Sequence, residues 1–288
     1  MRGLVLPPLA PLGVLVRHLD DPTLRVVRRA LQIVTERLDE LRPRLLATYG
    51  RIEADTKPDG TPVTTIDHEV DDRLAGAIGE VFPSHGILSE ERDTVAPSTE
   101  WTWIIDPIDG TSNFIAGLPY WCVSIALAIG GEVVLGVIDA PAIDRRYVAT
   151  PGEGASRDGR SLHVRTPVDP RDQRFAHVPV MLTTGTARRA RNAGIRLNPR
   201  VMGSTALDLA VVAEGTAVAS VAVRPHVWDI AAGSLIVQEA GGVAITLRGQ
   251  PLLPLQPGID HRALAVPVAA AAEADYARDL ATDLLPEG

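Results

Sequence analysis

Residues 103–114 read WIIDPIDGTSNF. Trp103, Ile104 and Ile105 run straight into Asp106, and Pro107 follows at once. Such an apolar run is strand material, but proline has no N–H to give a ladder, so regular pairing must break there. The bend can set Asp106 and Asp109 side by side with the Ile108 carbonyl between them. Carboxylate and carbonyl oxygens are ligands for hard cations such as Mg²⁺. Gly110 allows close approach of the backbone to a ligand, and the N–H groups of Gly110 and Thr111 can face an anion. The segment therefore reads as a rigid strand presenting a metal and a phosphate together. The same residues also make an ordinary strand-end turn, and both readings stand at this point. An EF-hand loop does not fit, because its glycine belongs at position six and its glutamate at twelve. Counted from Asp106, Gly110 is fifth and Gly117 twelfth.

The surrounding pattern predicts mixed, layered α and β structure. Asp21-Pro22 reads as an N-cap with proline at the first helical position. Leu24, Val27, Leu31, Val34, Leu38, Leu41 and Leu45 then mark one helix face, with a disturbance expected at Pro43. Ile66, Val70, Leu74 and Ile78 mark a second helix, with Asp67 in its first turns. HGILSEE is a short strand ending in Glu90 and Glu91. CVSIALAI and EVVLGVID flank Gly130-Gly131 as a hairpin, and RRYVAT follows as a strand. GSTALDLAVVAEG and WDIAAGSLIVQEAGG are helices, and AVASVAV and VAITL are strands. AAAAEADYARDLATDLL is expected to be a terminal helix. Residues 151–200 show little periodicity and yield few assignments. No internal repeat or long linker appears, so the 288 residues read as one domain with an N-terminal metal-binding lobe, about 1–150, and a C-terminal lobe, about 151–288.

Composition excludes some partners. The formal net charge of -8 argues against a nucleic-acid polymer, which selects basic surfaces. No run of 18 apolar residues exists, so no membrane partner is expected. The apolar start, MRGLVLPPLAPLGVLV, is interrupted by Pro7, Pro8 and Pro11 and lacks a small-residue cleavage pattern, which argues against an export signal. Cys122 is the only cysteine, which excludes an intrachain disulfide and suits a cytoplasmic location. Cys122 and the histidines His163 and His226 read as core or edge residues rather than as nucleophiles.

Taken singly, Glu90-Glu91 suits a solvated loop, and Asp67 and Asp229 suit helix N-terminal charges. Together with their order, five segments resemble the inositol monophosphatase family of Mg²⁺-dependent, lithium-sensitive phosphatases: KPDGTPVTTID, ILSEE, WIIDPIDGTSNF, GSTALD and WDIAAGSLIVQEAGG. The resemblance spans roughly residues 50–245 and implies an αβαβα layered sandwich, often a homodimer, acting on a small phosphorylated metabolite. It implies that Glu90, Asp106 and the Ile108 carbonyl bind one Mg²⁺, that Asp106, Asp109 and Asp229 bind a second, and that Glu90 serves a third, weakly held ion. By the same resemblance Thr111 and Asp67, with Glu90, are the catalytic groups that orient and deprotonate the attacking water. Asp109, Gly110, Thr111, Ser204, Thr205 and Asp229 are expected to contact substrate. The implied chemistry is physically sound: two divalent ions activate a water and neutralise the leaving oxygen, and phosphoryl transfer needs positioning more than covalent participation.

Two departures bear on the substrate. Members acting on inositol phosphate carry a glutamate about seven residues before the last metal aspartate, where this chain has Ala222, which offers no acceptor. Arg224 lies nearby and suits an anionic group. The Tyr147–Gly203 stretch is shorter than in typical relatives and holds Arg188, Arg189, Arg191 and Arg196. GVIDAPAIDRRY resembles the histidinol-phosphate phosphatase branch. Candidate substrates are thus inositol or sugar phosphates, histidinol phosphate and nucleotide 3′-phosphates. The competing reading from another class is a non-catalytic phosphate- or protein-binding member.

Overall fold

The computed structural model describes residues 19–57, 60–165, 177–247, 253–265 and 267–284. The N-terminal segment on which the export-signal reading rests lies outside the described residues.

Helix α1 (Asp21–Thr48) and helix α2 (Thr65–Val81) bury the faces their periodicity predicts. Val27, Val34, Leu38, Leu41 and Leu45 of α1 pack with Ile66, Val70, Leu74 and Ile78 of α2. The cap of α1 is Asp20, not Asp21, and its carboxylate accepts from the Thr23 amide at 2.9 Å. The proline therefore sits one position further into the first turn, where its missing N–H costs nothing. The helix also runs through Pro43 without ending, because the flanking Leu41 and Leu45 are both buried and hold the last turns in place.

After a two-residue hairpin, β1 (Asp55–Thr56) with β2 (Pro62–Val63), comes a seven-stranded sheet. It contains β3 (Gly86–Ser89), β4 (Trp101–Asp109), β5 (Cys122–Ile129), β6 (Glu132–Ala140), β7 (Arg145–Thr150), β8 (Gly154–Arg157) and β9 (Arg160–Ser161), in that spatial order. Only β3 and β4 pair in parallel. Gly130 and Gly131, both at positive φ, close the β5–β6 hairpin. The short helix α3 (Thr111–Ala116) follows β4 directly.

A second, five-stranded sheet comprises β10 (Pro179–Leu182), β11 (Asn198–Arg200), β12 (Ala219–Ala222), β13 (Val243–Thr246) and β14 (Val268–Ala271), in the order β11-β10-β12-β14-β13. Its helices are α4 (Thr184–Asn192), α5 (Thr205–Ala213), α6 (Val227–Glu239) and α7 (Ala274–Leu284). Here the structure corrects the sequence reading. The alanines at the start of the expected terminal helix form β14, between β12 and β13. Alanine favours helix in isolation, but Val268 to Ala271 are buried on both faces, and their small side chains admit helices from both sides.

Three buried clusters define five layers. The first joins α1 and α2 to one face of the large sheet through Trp103, Ile105, Val123 and Ile125. The second joins its other face, including Ile104, Cys122 and Ala126, to α5 and α6, and those helices to Ala244 and Ala270 of the second sheet. The third covers the outer face of that sheet with α4 and α7. The order is α, β, α, β, α, as expected. The adjacent residues Trp103, Ile104 and Ile105 point alternately into two different cores, the period-two signature of a strand buried on both faces.

Candidate active site

Strand β4 carries the first two carboxylates. Its pairing with β5 is regular to Asp106, opposite Ser124, and resumes at Asp109, opposite Cys122. Three residues of β4 thus span two of β5, a bulge at Pro107-Ile108. The strand does not end at Asp106, as the proline alone suggested; it bulges and recovers. The bulge turns Ile108 N–H onto Asp106 Oδ1 at 3.0 Å and brings Asp106 and Asp109 close together. Asp229, in the first turn of α6, completes the group: one oxygen from each of Asp106, Asp109 and Asp229 lies within 4.8 Å of the others. Asp229 Oδ2 accepts from the His226 amide at 2.8 Å, which orients the carboxylate at the helix entrance.

Asp106 and Asp109 are buried, and no salt bridge reaches any of the three aspartates among the described residues. Burial pushes the Asp106 carboxyl well above the ordinary range, and the charges of Glu90, Asp109 and Asp229 add to it. Asp229 is raised for the same reasons, burial first and then Asp109 and Glu90. Asp109 is pushed up to about 6 by burial, against hydrogen bonds from Ser204, Ala206 and Thr205 that favour its charge. Three carboxylates gathered like this must take up protons or a cation. An all-oxygen donor set, with the Ile108 carbonyl beside it, fits a small hard divalent ion.

The aspartates open onto a cleft of about 300 Å³ also lined by Lys57, Glu90, Gly110, Thr111, Arg224 and Arg262. Glu90 is in the cleft but outside the tight carboxylate group. Its Oε1 is 2.6 Å from Lys57 Nζ, which also contacts Glu91. Burial works against the Lys57 charge, yet Glu90 and Glu91 outweigh it and raise its pKa. Lys57 is the chain's only lysine, a sequence signal that sequence reasoning passed over.

Asp67 is buried at the third position of α2. Its Oδ2 accepts from the Thr64 amide at 2.8 Å and the Thr64 hydroxyl at 2.6 Å. Oδ1 is left facing Thr111 Oγ1 at 3.4 Å, while that hydroxyl donates to the Ile108 carbonyl at 3.0 Å. Burial, the largest influence, raises the Asp67 carboxyl despite the Thr64 bonds. Gly110 adopts φ 94°, and a Cβ there would lie 3.1 Å from the Tyr120 carbonyl and 3.3 Å from that of Gly203. Only glycine suits both constraints. Thr111 begins α3, so its amide lacks an intrahelical partner, and the residue lines the cleft.

Ser204 caps α5, and Thr205 and Ala206 begin it. Ser204 Oγ, Thr205 N and Ala206 N all donate to Asp109, at 2.5, 3.3 and 2.7 Å. The predicted substrate residues Ser204 and Thr205 are thus already engaged with a carboxylate. Of the two histidines, His163 is exposed, whereas His226 lines the cleft, stacked on Trp228. Cys122 is fully buried in the core beneath Asp109, and burial raises its thiol pKa. Arg262 was missed entirely. The segment around it pairs with residues 94–96 through His261 N to Thr94 O at 2.8 Å and Ala96 N to Ile259 O at 2.9 Å. That pairing carries Arg262 to the rim, where it donates to the Glu90 carbonyl at 2.6 Å. Nothing in the local sequence announces a contact of this range.

The chain is similar to known proteins over most of its length. The model of the inositol monophosphatase family matches residues 17–280. A histidinol-phosphatase of Mycobacterium tuberculosis is 38% identical over 224 residues, covering 75% of this chain and 85% of that protein. A fructose-1,6-bisphosphatase/inositol-1-monophosphatase of Thermotoga maritima is 35% identical over 209 residues, 72% of this chain and 80% of that protein. The solved structure of a Thermotoga maritima IMPase superposes with a TM-score of 0.74 at 27% identity, covering 90% of this chain and 99% of that one.

Proposed function

Because this chain belongs to the inositol monophosphatase family, whose members hydrolyse phosphomonoesters, we propose that it is a Mg²⁺-dependent phosphatase of a small phosphorylated metabolite. The observation that carries the reading is the gathering of Asp106, Asp109 and Asp229 within 4.8 Å on a cleft, unpaired with any basic side chain among the described residues.

In this reading Asp106, the Ile108 carbonyl and Glu90 hold one ion, and Asp106, Asp109 and Asp229 a second. When bound, the ions acidify a water and neutralise the oxygen that leaves. The protein's own groups do the rest. The Thr111 hydroxyl receives the water's hydrogen bond and hands a proton toward Asp67 Oδ1, the one Asp67 oxygen that Thr64 leaves free. The raised Asp67 carboxyl makes it a better proton acceptor than an exposed aspartate. The amides of Gly110 and Thr111 orient the phosphate, and Lys57 holds Glu90 in place through their 2.6 Å ion pair. Glu90 is open to a third ion only in competition with Lys57.

The gathering of Asp106, Asp109 and Asp229 on one cleft favours a metal-dependent enzyme over a binding protein. The reading includes one phosphatase domain with lobes of about 1–150 and 151–288, cytoplasmic and homodimeric, and light scattering tests the assembly. No helix among the described residues is long and apolar enough to cross a membrane. A second reading, hydrolysis of histidinol phosphate, is favoured by the name of the 38% identical relative. The deciding experiment measures phosphate released from β-glycerophosphate with Mg²⁺ and with EDTA. Mg²⁺-dependent turnover is expected, and release that is absent or indifferent to EDTA would sink the reading.

A further inference from the structure

Beside the carboxylate cleft lies a second cavity of about 290 Å³. The two share Arg224 and Asp229, so they meet along one wall. The second cavity is lined further by Arg189 of α4, by Thr205, and by the apolar Ala222, Val223 and Pro225. Its only acid is Asp229, which belongs to the carboxylate group already described. Arg189 and Arg224 are exposed, and neither has a carboxylate partner among the described residues.

The charge around this cavity is unlike the rest of the molecule. The chain carries a net charge of -8, yet residues 177–203 hold Arg188, Arg189, Arg191, Arg196 and Arg200 and no aspartate or glutamate. Several surface arginines elsewhere are paired with acids, as in Arg28–Glu153, Arg42–Asp144 and Arg157–Glu214. Two guanidinium groups on one cavity, neither paired with an acid among the described residues, are suited to a planar or tetrahedral anion. Ala222 on its wall supplies no competing side-chain acceptor.

We propose that Arg189 and Arg224 form a subsite for a second anionic group, so that the preferred substrate is a phosphomonoester that also bears a carboxylate or another phosphate. This rests on the phosphatase reading above. The scissile phosphate lies on the aspartate side, Arg224 stands between the two cavities, and the second anion enters the Arg189 side. The same two charges repel an ammonium, so the subsite discriminates against an amine-bearing substrate, which counts against the histidinol-phosphate reading above.

The test uses one scaffold with four ends: alkyl phosphates of two, four and six carbons ending in hydroxyl, amine, carboxylate or phosphate. At the best length, kcat/KM for the carboxylate or phosphate end should exceed that for hydroxyl by on the order of tenfold, and amine should be worst. Comparison of the two acidic ends tells which anion the subsite prefers. Arg189→Gln and Arg224→Gln should each lower the acid-to-hydroxyl ratio, chiefly through KM. Arg191→Gln, on the same helix but not on the cavity, should leave the ratio as it is. A wild-type ratio near one, a preference for amine, or a loss in Arg191→Gln equal to that in Arg189→Gln would overturn the subsite while leaving the phosphatase reading intact. If no member is hydrolysed, the phosphatase reading falls. The subsite is then judged by calorimetric titration with the bisphosphate, where equal binding by wild type and both cavity variants overturns it and weaker binding by the variants supports it.

Discussion

Ser204 Oγ lies 2.5 Å from Asp109 Oδ2, joining the end of a strand in the large sheet to the cap of a helix in the central layer. The same serine accepts from the Leu207 amide, so its hydroxyl both caps α5 and fixes the carboxylate. With Ala206 N also on Oδ2 at 2.7 Å, that oxygen is saturated. Oδ1, with only a long contact from Thr205 N at 3.3 Å, is the oxygen left for a cation. The helix N-terminus also favours the negative charge on Asp109.

Asp109→Asn should reduce turnover by on the order of 100-fold or more while the protein stays folded, because a neutral amide weakens its hold on a divalent ion. Turnover at limiting Mg²⁺ against a circular-dichroism melt checks this. Activity within a few-fold of wild type would remove Asp109 from the metal site.

Ser204→Ala should destabilise the fold by about 1–2 kcal/mol through the lost cap and should also lower kcat at limiting Mg²⁺, since Asp109 loses an anchor. The comparison variant is Ser204→Thr, which keeps the hydroxyl and should recover Mg²⁺ dependence more fully than Ser204→Ala. If both variants shift stability alone and leave the Mg²⁺ titration of activity unmoved, the serine is a cap and nothing more.

Thr111→Ala should lower kcat more than it raises KM, because the hydroxyl is assigned to the water and acts mainly in the transition state. An effect confined to KM would make Thr111 a binding residue.

The legible parts of this chain are those where local chemistry and burial agree. The faces of α1 and α2 and the Gly130-Gly131 hairpin follow from periodicity and turn residues. The Asp106 and Asp109 pair is legible because proline, glycine and two acids leave a strand few options. The alanine-rich β14 was misread because tertiary burial overrode helix propensity. Lys57 and Arg262 escaped notice for a different reason. Lys57 lies 33 residues before Glu90 and Arg262 lies 172 residues after it, so only the tertiary fold brings either to that residue and no local spacing announces the contact. The two-arginine cavity is only half visible: the run of arginines is plain in residues 188–200, but which of them meets Arg224 depends on how α4 is docked.

Lithium at millimolar concentration should inhibit turnover, as the family resemblance implies, with Li⁺ taking oxygen ligands vacated by a departing Mg²⁺. Steady-state rates with LiCl against equal NaCl decide it. Equal rates would mean that the site formed by Asp106, Asp109 and Asp229 does not exchange its ion during turnover.

The carboxylate group also makes a prediction about stability and pH. Asp106 and Asp229 are raised well above the ordinary aspartate range and Asp109 to about 6. A carboxyl whose pKa is higher in the folded than in the unfolded chain binds more protons when folded. Its contribution is therefore present at pH below the unfolded value and is lost as pH rises through the folded one. In EDTA, the protein should lose stability from these groups between about pH 4 and 6, and further above that as Asp106 and Asp229 are forced to ionise. A cation bound only to the ionised folded site restores that stability by mass action. The Tm increment from saturating Mg²⁺ should accordingly be larger at pH 7.5 than at pH 5.5. Asp109→Asn, which removes one of the repelling charges, should narrow that difference. Melts at the two pH values with Mg²⁺ or EDTA supply the four numbers for each protein. An equal increment at both pH values, or one larger at pH 5.5, would mean that these aspartates are not the ion's ligands, since a carboxylate site that must lose protons to bind cannot bind better in acid.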